Sequence, residues 1–100
     1  MTLLYYAHRY QGFTANLLRA KRNFAVLRDE YARKGIVLWA PWIPMAEAGI
    51  SEGSAWRTVG ACIAASHGIV SDLDGEPESP GMAREREMAT RMGKSIMVVA

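Results

Sequence analysis

The chain has 100 residues, which is enough for one domain, residues 1–100, and too short for two. Half of its residues are hydrophobic, so it can form a compact core, although at this size we expect a homo-oligomer to add stability. Twelve basic and ten acidic residues leave a net charge of +2. Because the basic residues are spread along the chain, we expect no nucleic-acid polymer as a partner.

Cysteine, histidine and the N-terminal segment set further limits. Cys62 is the single cysteine, so no internal disulfide can form, and with two histidines no zinc ligand set of familiar spacing can be assembled. The apolar run near the N-terminus is about six residues long, too short for a signal peptide or a membrane span. We therefore expect a cytoplasmic protein that has no membrane partner.

The first half of the chain alternates between strand-like and helix-like patterns. An apolar run at residues 3–7 predicts a buried first strand. Thr14 is suited to cap a long helix, in which apolar residues recur at three- and four-residue steps until Gly35. Residues 36–40 predict a second strand. The connection at residues 41–50 is rich in apolar groups, so we expect it to line a pocket, meet another subunit or pack on the domain.

The second half continues the alternation. A helix begins at Ser51 or Ser54, and residues 68–72 predict a third, weaker strand that leads into an acidic loop. Ser79 can cap the next helix, and residues 95–99 predict the last strand. This order of strands and helices is typical of an α/β fold, in which a parallel sheet carries helices on both faces.

One glutamate of the helix after Ser79 lies where a charged group is costly. At about 100° per residue, Glu85 falls on the same stripe as Met82 and Ala89, whereas Glu87 lies on the opposite face. A carboxylate on an apolar stripe must be hydrogen-bonded, paired or used for chemistry, and burial raises its pKa. Glu85 is therefore a candidate site residue. The alternatives are a buried salt bridge with an arginine elsewhere in the chain, or a position at an edge of the stripe that is open to solvent.

Ligands of parallel sheets bind at the carboxyl ends of the strands, where the loops after the first three strands meet. The helix start that contains Ser79 and Gly81 offers free backbone N–H groups, which suit an anion such as phosphate. Arg9 of the first loop could add a positive partner. The chain has no glycine-rich lysine motif and no GxGxxG, which argues against a nucleotide triphosphatase or a dinucleotide oxidoreductase.

Aromatic residues are frequent in the segments that lead into these loops. A carboxylate can trap an oxocarbenium-like carbon, and a flat base can stack on an aromatic ring, so this composition suits sugar chemistry. Either of two neighbouring tyrosines could orient the acid by a hydrogen bond. The alternative is that the aromatic residues belong to the core. They are Tyr5, Tyr6, Tyr10, Trp39 and Trp42.

Four groups of residues, spread over nearly the whole chain, occur together in a known family. They are Tyr5-Tyr6-Ala7 followed by Tyr10; Asn16 and Ala20 in the first helix; Gly35 followed by a strand and Pro41; and Ser79-x-Gly81-x-x-x-Glu85-x-x-x-Ala89. In these residues the chain resembles the nucleoside 2-deoxyribosyltransferase-like superfamily, especially its small, often phage-encoded members. The last motif is the most specific, because the nucleophilic glutamate of the family stands four residues after a glycine.

The resemblance implies a flavodoxin-like (Rossmann-like) three-layer sandwich with a mostly parallel sheet of four or five strands. It implies cleavage or exchange of an N-glycosidic bond through a covalent deoxyribosyl-glutamate. Glu85 would be the nucleophile and Tyr5 would orient it. Ser79 matches a position that, in the deoxynucleoside monophosphate N-glycosidase branch, helps to hold a 5′-phosphate, and we expect Gly81 and Arg9 to contact the same group.

The remaining expectations concern the ligand and its partners. We expect a small-molecule nucleoside or nucleotide that contacts His8 and Trp42, with Asp72 or Asp74 near the ribose or base. No cofactor and no metal is expected, although Asp72, Asp74 and Glu76 could hold magnesium if the reaction were phosphate chemistry. The alternative function is a non-catalytic nucleotide-binding or protein-interaction module of the same fold, which keeps the pocket but lacks turnover.

Overall fold

A computed structural model describes residues 1–100 of the protein. All four strands of its sheet are parallel and lie in the order β2-β1-β3-β4. This matches the first four strands of a flavodoxin-like sheet, so the expected α/β, flavodoxin-like fold class is confirmed. The elements are β1 (Thr2–Ala7), α1 (Thr14–Ala32), β2 (Ile36–Trp39), α2 (Trp42–Glu47), α3 (Glu52–Ala65), β3 (Gly68–Asp72), α4 (Pro80–Arg91) and β4 (Ser95–Val99).

The strand order places the helices in two outer layers. The chain moves from β1 to β2 in one direction and then passes over β1 to β3 in the other, so right-handed crossovers put α1 on one face and α3 and α4 on the other. Accordingly, α1 packs on β2, while α3 and α4 pack on each other and α4 packs on β3 and β4. Along β1, Tyr5 faces the α4 layer beside Glu85, and Tyr6 faces α1, where its ring packs on Phe24.

Side-chain caps fix where the two helices of one layer begin. Ser51 accepts a hydrogen bond of 3.3 Å from the backbone N–H of Ser54, so Ser51 rather than Ser54 caps α3, which begins at Glu52. Ser79 accepts one of 3.2 Å from the N–H of Met82, and Pro80 occupies the first position of α4, as the sequence predicts. These caps set the two helix starts that face each other across the candidate site.

The structure corrects three local expectations. The connection at residues 41–50 contains a helix, α2, because Pro44 lies in its first turn, where a missing N–H removes no intrahelical bond. Thr14 is the first helical residue of α1 and not its cap; Phe13 precedes it without a capping side chain. β3, expected to be the weakest strand, is buried over its whole length between β1 and β4. None of the helices combines the length and apolar character needed to cross a membrane.

Candidate active site

A cleft lies at the carboxyl end of β1, between α2, α3 and the start of α4. It encloses about 470 Å³, part of it open to solvent, and nine of its 14 lining residues are hydrophobic. A concave, mostly apolar lining with a few polar groups is typical of a small-molecule site. Among the residues that line it are His8 and Tyr10 after β1, Trp42 of α2, Trp56 of α3, and Ser79 and Glu85 at the start of α4.

Glu85 lines this cleft and is buried, with 8 % of its surface exposed. It lies on the buried stripe of α4 between Met82 and Ala89, as the helical period predicts. No lysine, arginine or histidine pairs with it, so the alternative of a buried salt bridge is not met. Burial, with a smaller contribution from the charge of Glu52, raises the pKa of Glu85 to about 8, although the Tyr5 hydroxyl acts to lower it. At neutral pH the empty cleft therefore presents an uncharged carboxyl group.

Tyr5 lies next to Glu85 and is fully buried. Burial, and then the charge of Glu85, raises the pKa of Tyr5 well above its usual value, so the phenol stays protonated. Its hydroxyl has no formed hydrogen bond, although it lies close enough to Glu85 to lower the pKa of that carboxyl group. A buried hydroxyl without a partner is uncommon in proteins. It is placed to donate to Glu85 once that carboxyl group ionises.

Glu52 is a second carboxyl group in the cleft, and no motif or periodic pattern in the sequence predicts it there. It lies in the first turn of α3, and its Oε1 accepts a hydrogen bond of 3.1 Å from the backbone N–H of Gln11. A methyl group added at Gly81 would lie 3.6 Å from Glu52 Oε2, so this carboxylate faces the start of α4. An acidic residue in a first helical turn is usually explained by the helix dipole alone. Only the packing of α3 beside α4 brings it into the site.

Ser79 and Gly81 line the cleft, whereas Arg9 does not. Arg9 is buried, with Nη1 2.9 Å from Oε2 of Glu76, and its Nη2 donates to the carbonyl oxygen of Leu73. Arg9 and Ser79 together line an adjoining polar depression. The three residues expected at a phosphate thus lie close to one another, but the arginine is already engaged.

His8 lines the cleft and is held from behind by Asp74. The Nδ1 atom of His8 lies 2.7 Å from the carbonyl oxygen of Arg9, and Nε2 lies 3.1 Å from Asp74 Oδ2. Asp74 also pairs with Arg19 at 3.0 Å. Desolvation acts to raise the pKa of Asp74, but hydrogen bonds from His8 and Asn23 and the charge of Arg19 outweigh it and lower the pKa below its usual range. Asp74 therefore positions His8 and does not itself line the cleft.

Asp72 also lies outside the cleft. Its Oδ2 accepts a hydrogen bond of 2.5 Å from the Tyr6 hydroxyl, and its Oδ1 accepts one of 3.1 Å from the backbone N–H of Asp74. Because Tyr6 faces α1, this carboxylate belongs to the side of the sheet opposite Glu85. Neither Asp72 nor Asp74 lines the cleft, and their expected proximity to the ribose or base stays a prediction. Asp72, Asp74 and Glu76 form no group that could hold a metal ion.

Three aromatic side chains form walls of the cleft. Trp42 is anchored by a hydrogen bond of 2.9 Å from its indole N–H to the carbonyl oxygen of Tyr6, and its ring centroid is 6.0 Å from that of Tyr10. Trp56 lies on the α3 side, with the guanidinium of Arg84 4.2 Å from its ring centroid. Trp42 thus serves both the packing of α2 and the wall of the cleft. Flat apolar walls of this kind suit a planar ring.

The fold and the site define a class: a parallel α/β domain of flavodoxin-like topology whose cleft presents a buried glutamate beside a tyrosine hydroxyl. Models of known protein families give no match to this chain, and no curated protein matches it significantly. The resemblance to the nucleoside 2-deoxyribosyltransferase-like superfamily therefore stays a prediction from the sequence motifs.

Proposed function

We propose that the cleft binds a nucleoside or nucleotide and cleaves or transfers its N-glycosidic bond, with Glu85 as the nucleophile. One observation carries the proposal: a buried glutamate without a cationic partner faces an aromatic-walled cleft, next to a tyrosine hydroxyl that has no other partner. A buried acid in a cleft whose pKa is raised by desolvation is a candidate for a functional site. The sequence motif around Glu85 supports the same reaction class.

The proposed reaction has two steps. An ionised Glu85 oxygen attacks the anomeric carbon of the sugar, the bond from that carbon to the base nitrogen breaks, and the base leaves with the electron pair. The proton that Glu85 must release balances the proton that the leaving base takes up. In hydrolysis, a water oxygen then bonds to the anomeric carbon, the bond from that carbon to Glu85 breaks, and the proton that the water loses returns to the carboxylate. In transfer, a nitrogen of a second base forms the bond and loses the proton instead.

The surroundings of Glu85 suit this role. A carboxylate that forms in an apolar cleft is poorly solvated and therefore more reactive, and a pKa near the working pH keeps part of the population ionised. Tyr5 then donates its hydroxyl hydrogen to the carboxylate and fixes which oxygen attacks. The base stacks between the walls that include Trp42 and Trp56.

Chromatography of free base tests the proposal. Wild type, Glu85→Ala and Glu85→Gln are incubated with a panel of deoxynucleosides and their 5′-monophosphates, with and without an acceptor base. Glu87→Gln is the matched control, since Glu87 lies on the same helix but is exposed and outside the cleft. We expect base release by wild type and Glu87→Gln and none by the two Glu85 variants. Equal release of free base by Glu85→Ala and wild type would refute the assignment of Glu85 as the nucleophile.

A second candidate function is a non-catalytic nucleotide-binding or protein-interaction module. The observation that favours it is the raised pKa of Glu85, because an uncharged carboxyl group can donate a hydrogen bond to a ligand without attacking it. Such a module would bind nucleosides or nucleotides but release no base at any pH up to 9. That result would replace the enzymatic proposal.

We also propose that the protein works in the cytoplasm as a homo-oligomer. Support comes from the edge strand β4, where Met97 and Val98 are 41 % and 62 % exposed. Exposed apolar residues on an edge strand are a common site of contact between subunits. Light scattering coupled to size-exclusion chromatography tests this, and a monomer at all concentrations would refute it.

A further inference from the structure

We infer that the cleft selects uncharged nucleosides over nucleoside 5′-monophosphates, and that Glu52 is the residue that sets this preference. The inference rests on the proposed function, because it concerns the ligand of the same cleft. It departs from the phosphate contacts that the sequence predicts for Ser79, Gly81 and Arg9. The reasons are the position of one carboxylate and the partners of the nearby cations.

Glu52 stands where a phosphate would have to bind. The best anion site of the cleft would be the N-terminus of α4, where backbone N–H groups and the helix dipole favour negative charge. The Glu52 carboxylate faces this point: its Oε2 would lie 3.6 Å from a methyl group at Gly81. The N–H of Gln11 holds its other oxygen in place. A phosphate at this helix start would therefore meet a fixed negative charge.

The start of α4 also keeps few donors for a phosphate. Pro80 has no N–H, the N–H of Met82 is bonded to the Ser79 hydroxyl, and the N–H of Ala83 donates to the Ser79 carbonyl oxygen at 2.9 Å. Among the first four helical residues, Gly81 alone keeps an N–H outside these bonds. Anion sites at helix starts normally use several N–H groups together. One N–H beside a carboxylate does not make such a site.

No lysine or arginine lines the cleft to compensate. Two cations close to the helix start are each paired with a carboxylate: Arg9 with Glu76 at 2.9 Å, and Arg86 with Glu78 at 2.9 Å. The adjoining depression beside Ser79 is lined by these two glutamates and by Arg9, so it offers no unpaired cation either.

Two further groups, His8 and Arg84, do not change this balance. His8, which lines the cleft, is engaged by Asp74 at 3.1 Å. Arg84 lies over Trp56 but is not among the residues that line the cleft. The field within the cleft is therefore set by Glu52.

An uncharged nucleoside fits the same groups. Sugar hydroxyl groups and the amino groups of bases are hydrogen-bond donors, and a carboxylate accepts from both. Glu52 thus binds a nucleoside through the charge that repels a phosphate. Discrimination of this kind combines an attractive contact to one ligand with a repulsive contact to its competitor.

Equilibrium titration monitored by tryptophan fluorescence tests the inference, since Trp42 and Trp56 line the cleft. The probes are deoxyadenosine and deoxycytidine and their 5′-monophosphates, and free base is measured in the same samples. The proteins are wild type, Glu52→Gln and the control Glu87→Gln. Glutamine keeps an oxygen that can accept the Gln11 N–H, and thermal unfolding of each protein checks that the variants fold.

We expect wild type and Glu87→Gln to bind the nucleosides about tenfold more tightly than the monophosphates, and Glu52→Gln to bind both about equally. As a second measurement, raising the salt concentration from about 0.05 M to about 0.5 M should narrow the wild-type ratio but leave that of Glu52→Gln unchanged. Equal or tighter binding of the monophosphates by wild type would overturn the inference, as would an unchanged ratio in a folded Glu52→Gln.

The inference and the proposed function fail separately. Nucleoside-selective binding without base release would refute the proposed reaction while it supports the inference. Base release with a preference for the monophosphates would support the reaction and overturn the inference. If none of the four probes binds, both are refuted.

Discussion

Replacing Glu85 by glutamine should stabilise the folded protein at alkaline pH. Glutamine has nearly the shape of the protonated acid but cannot ionise. The wild-type fold, in contrast, must hold a carboxylate in an apolar cleft once the pH exceeds the pKa of Glu85, which burial raises from its ordinary value of 4.5 to about 8. The substitution therefore isolates the cost of that one ionisation.

The sign and size of the effect follow from proton linkage. Between pH 4.5 and about 8 the folded protein keeps a proton on Glu85 that the unfolded chain has lost, so wild-type stability falls as the pH rises through this window. The interval of 3.5 pH units, at about 1.4 kcal/mol for each unit, amounts to about 5 kcal/mol. Water that enters the cleft reduces this, so we expect Glu85→Gln to gain about 2–5 kcal/mol over wild type between pH 4.5 and 9.

Urea unfolding of wild type, Glu85→Gln and the control Glu87→Gln at pH 4.5, 7 and 9 measures this difference. The two variants remove the same charge from the same helix, but Glu87 is exposed and outside the cleft. Glu87→Gln should therefore follow wild type at every pH, whereas Glu85→Gln diverges from both as the pH rises. If Glu85→Gln and wild type lose stability in parallel from pH 4.5 to 9, the raised pKa of Glu85 is wrong.

Three further expectations concern the pH profile of base release and the two tyrosines of β1. If Glu85 is the nucleophile, kcat/KM for base release rises with pH to a plateau, with a midpoint near 8, and a flat profile from pH 6 to 9 contradicts that role. Tyr5→Phe removes the hydroxyl that lowers the pKa of Glu85, so the midpoint of the pH profile of base release moves to higher pH and base release at pH 7 falls about tenfold. An unchanged midpoint would show that the Tyr5 hydroxyl does not act on Glu85. Tyr6→Phe leaves Asp72 without its buried donor and should cost about 1.5–3 kcal/mol in urea unfolding, while the midpoint of base release stays near that of wild type.

Features that depend on local sequence could be predicted well. Apolar runs predicted the four strands, although only β1 and β3 are largely buried, whereas β4 lies at an edge of the sheet with exposed apolar residues. The 3.6-residue period placed Glu85 on the buried side of α4, and the cap at Ser79 fixed where that helix begins. In both cases the pattern lies within a single element and needs no knowledge of its neighbours.

Features that depend on contacts between distant segments could not be predicted. Glu52 resembles any acidic residue in a first helical turn, and only the packing of α3 on α4 makes it a second acid of the cleft. Arg9 resembles a free loop cation, but a segment more than sixty residues away supplies its partners, Glu76 and the Leu73 carbonyl oxygen. From the sequence alone, Pro44 suggests a break in regular structure. In the structure α2 begins at Trp42, so Pro44 lies in its first turn, where proline is tolerated.

The two adjacent tyrosines of β1 point to opposite faces of the sheet. Tyr5 lies beside Glu85 on one face, with a hydroxyl that has no formed hydrogen bond, while the Tyr6 hydroxyl donates to Asp72 on the opposite face. A shift of the register of β1 by one residue would exchange the positions of the two hydroxyl groups. The hydrogen bond from Tyr6 to Asp72 therefore also helps to keep Tyr5 on the side of Glu85. Substitutions at Tyr5 can therefore alter the chemistry of the cleft while Tyr6 keeps the strand in register, which gives the domain a route to new reactions on an unchanged scaffold.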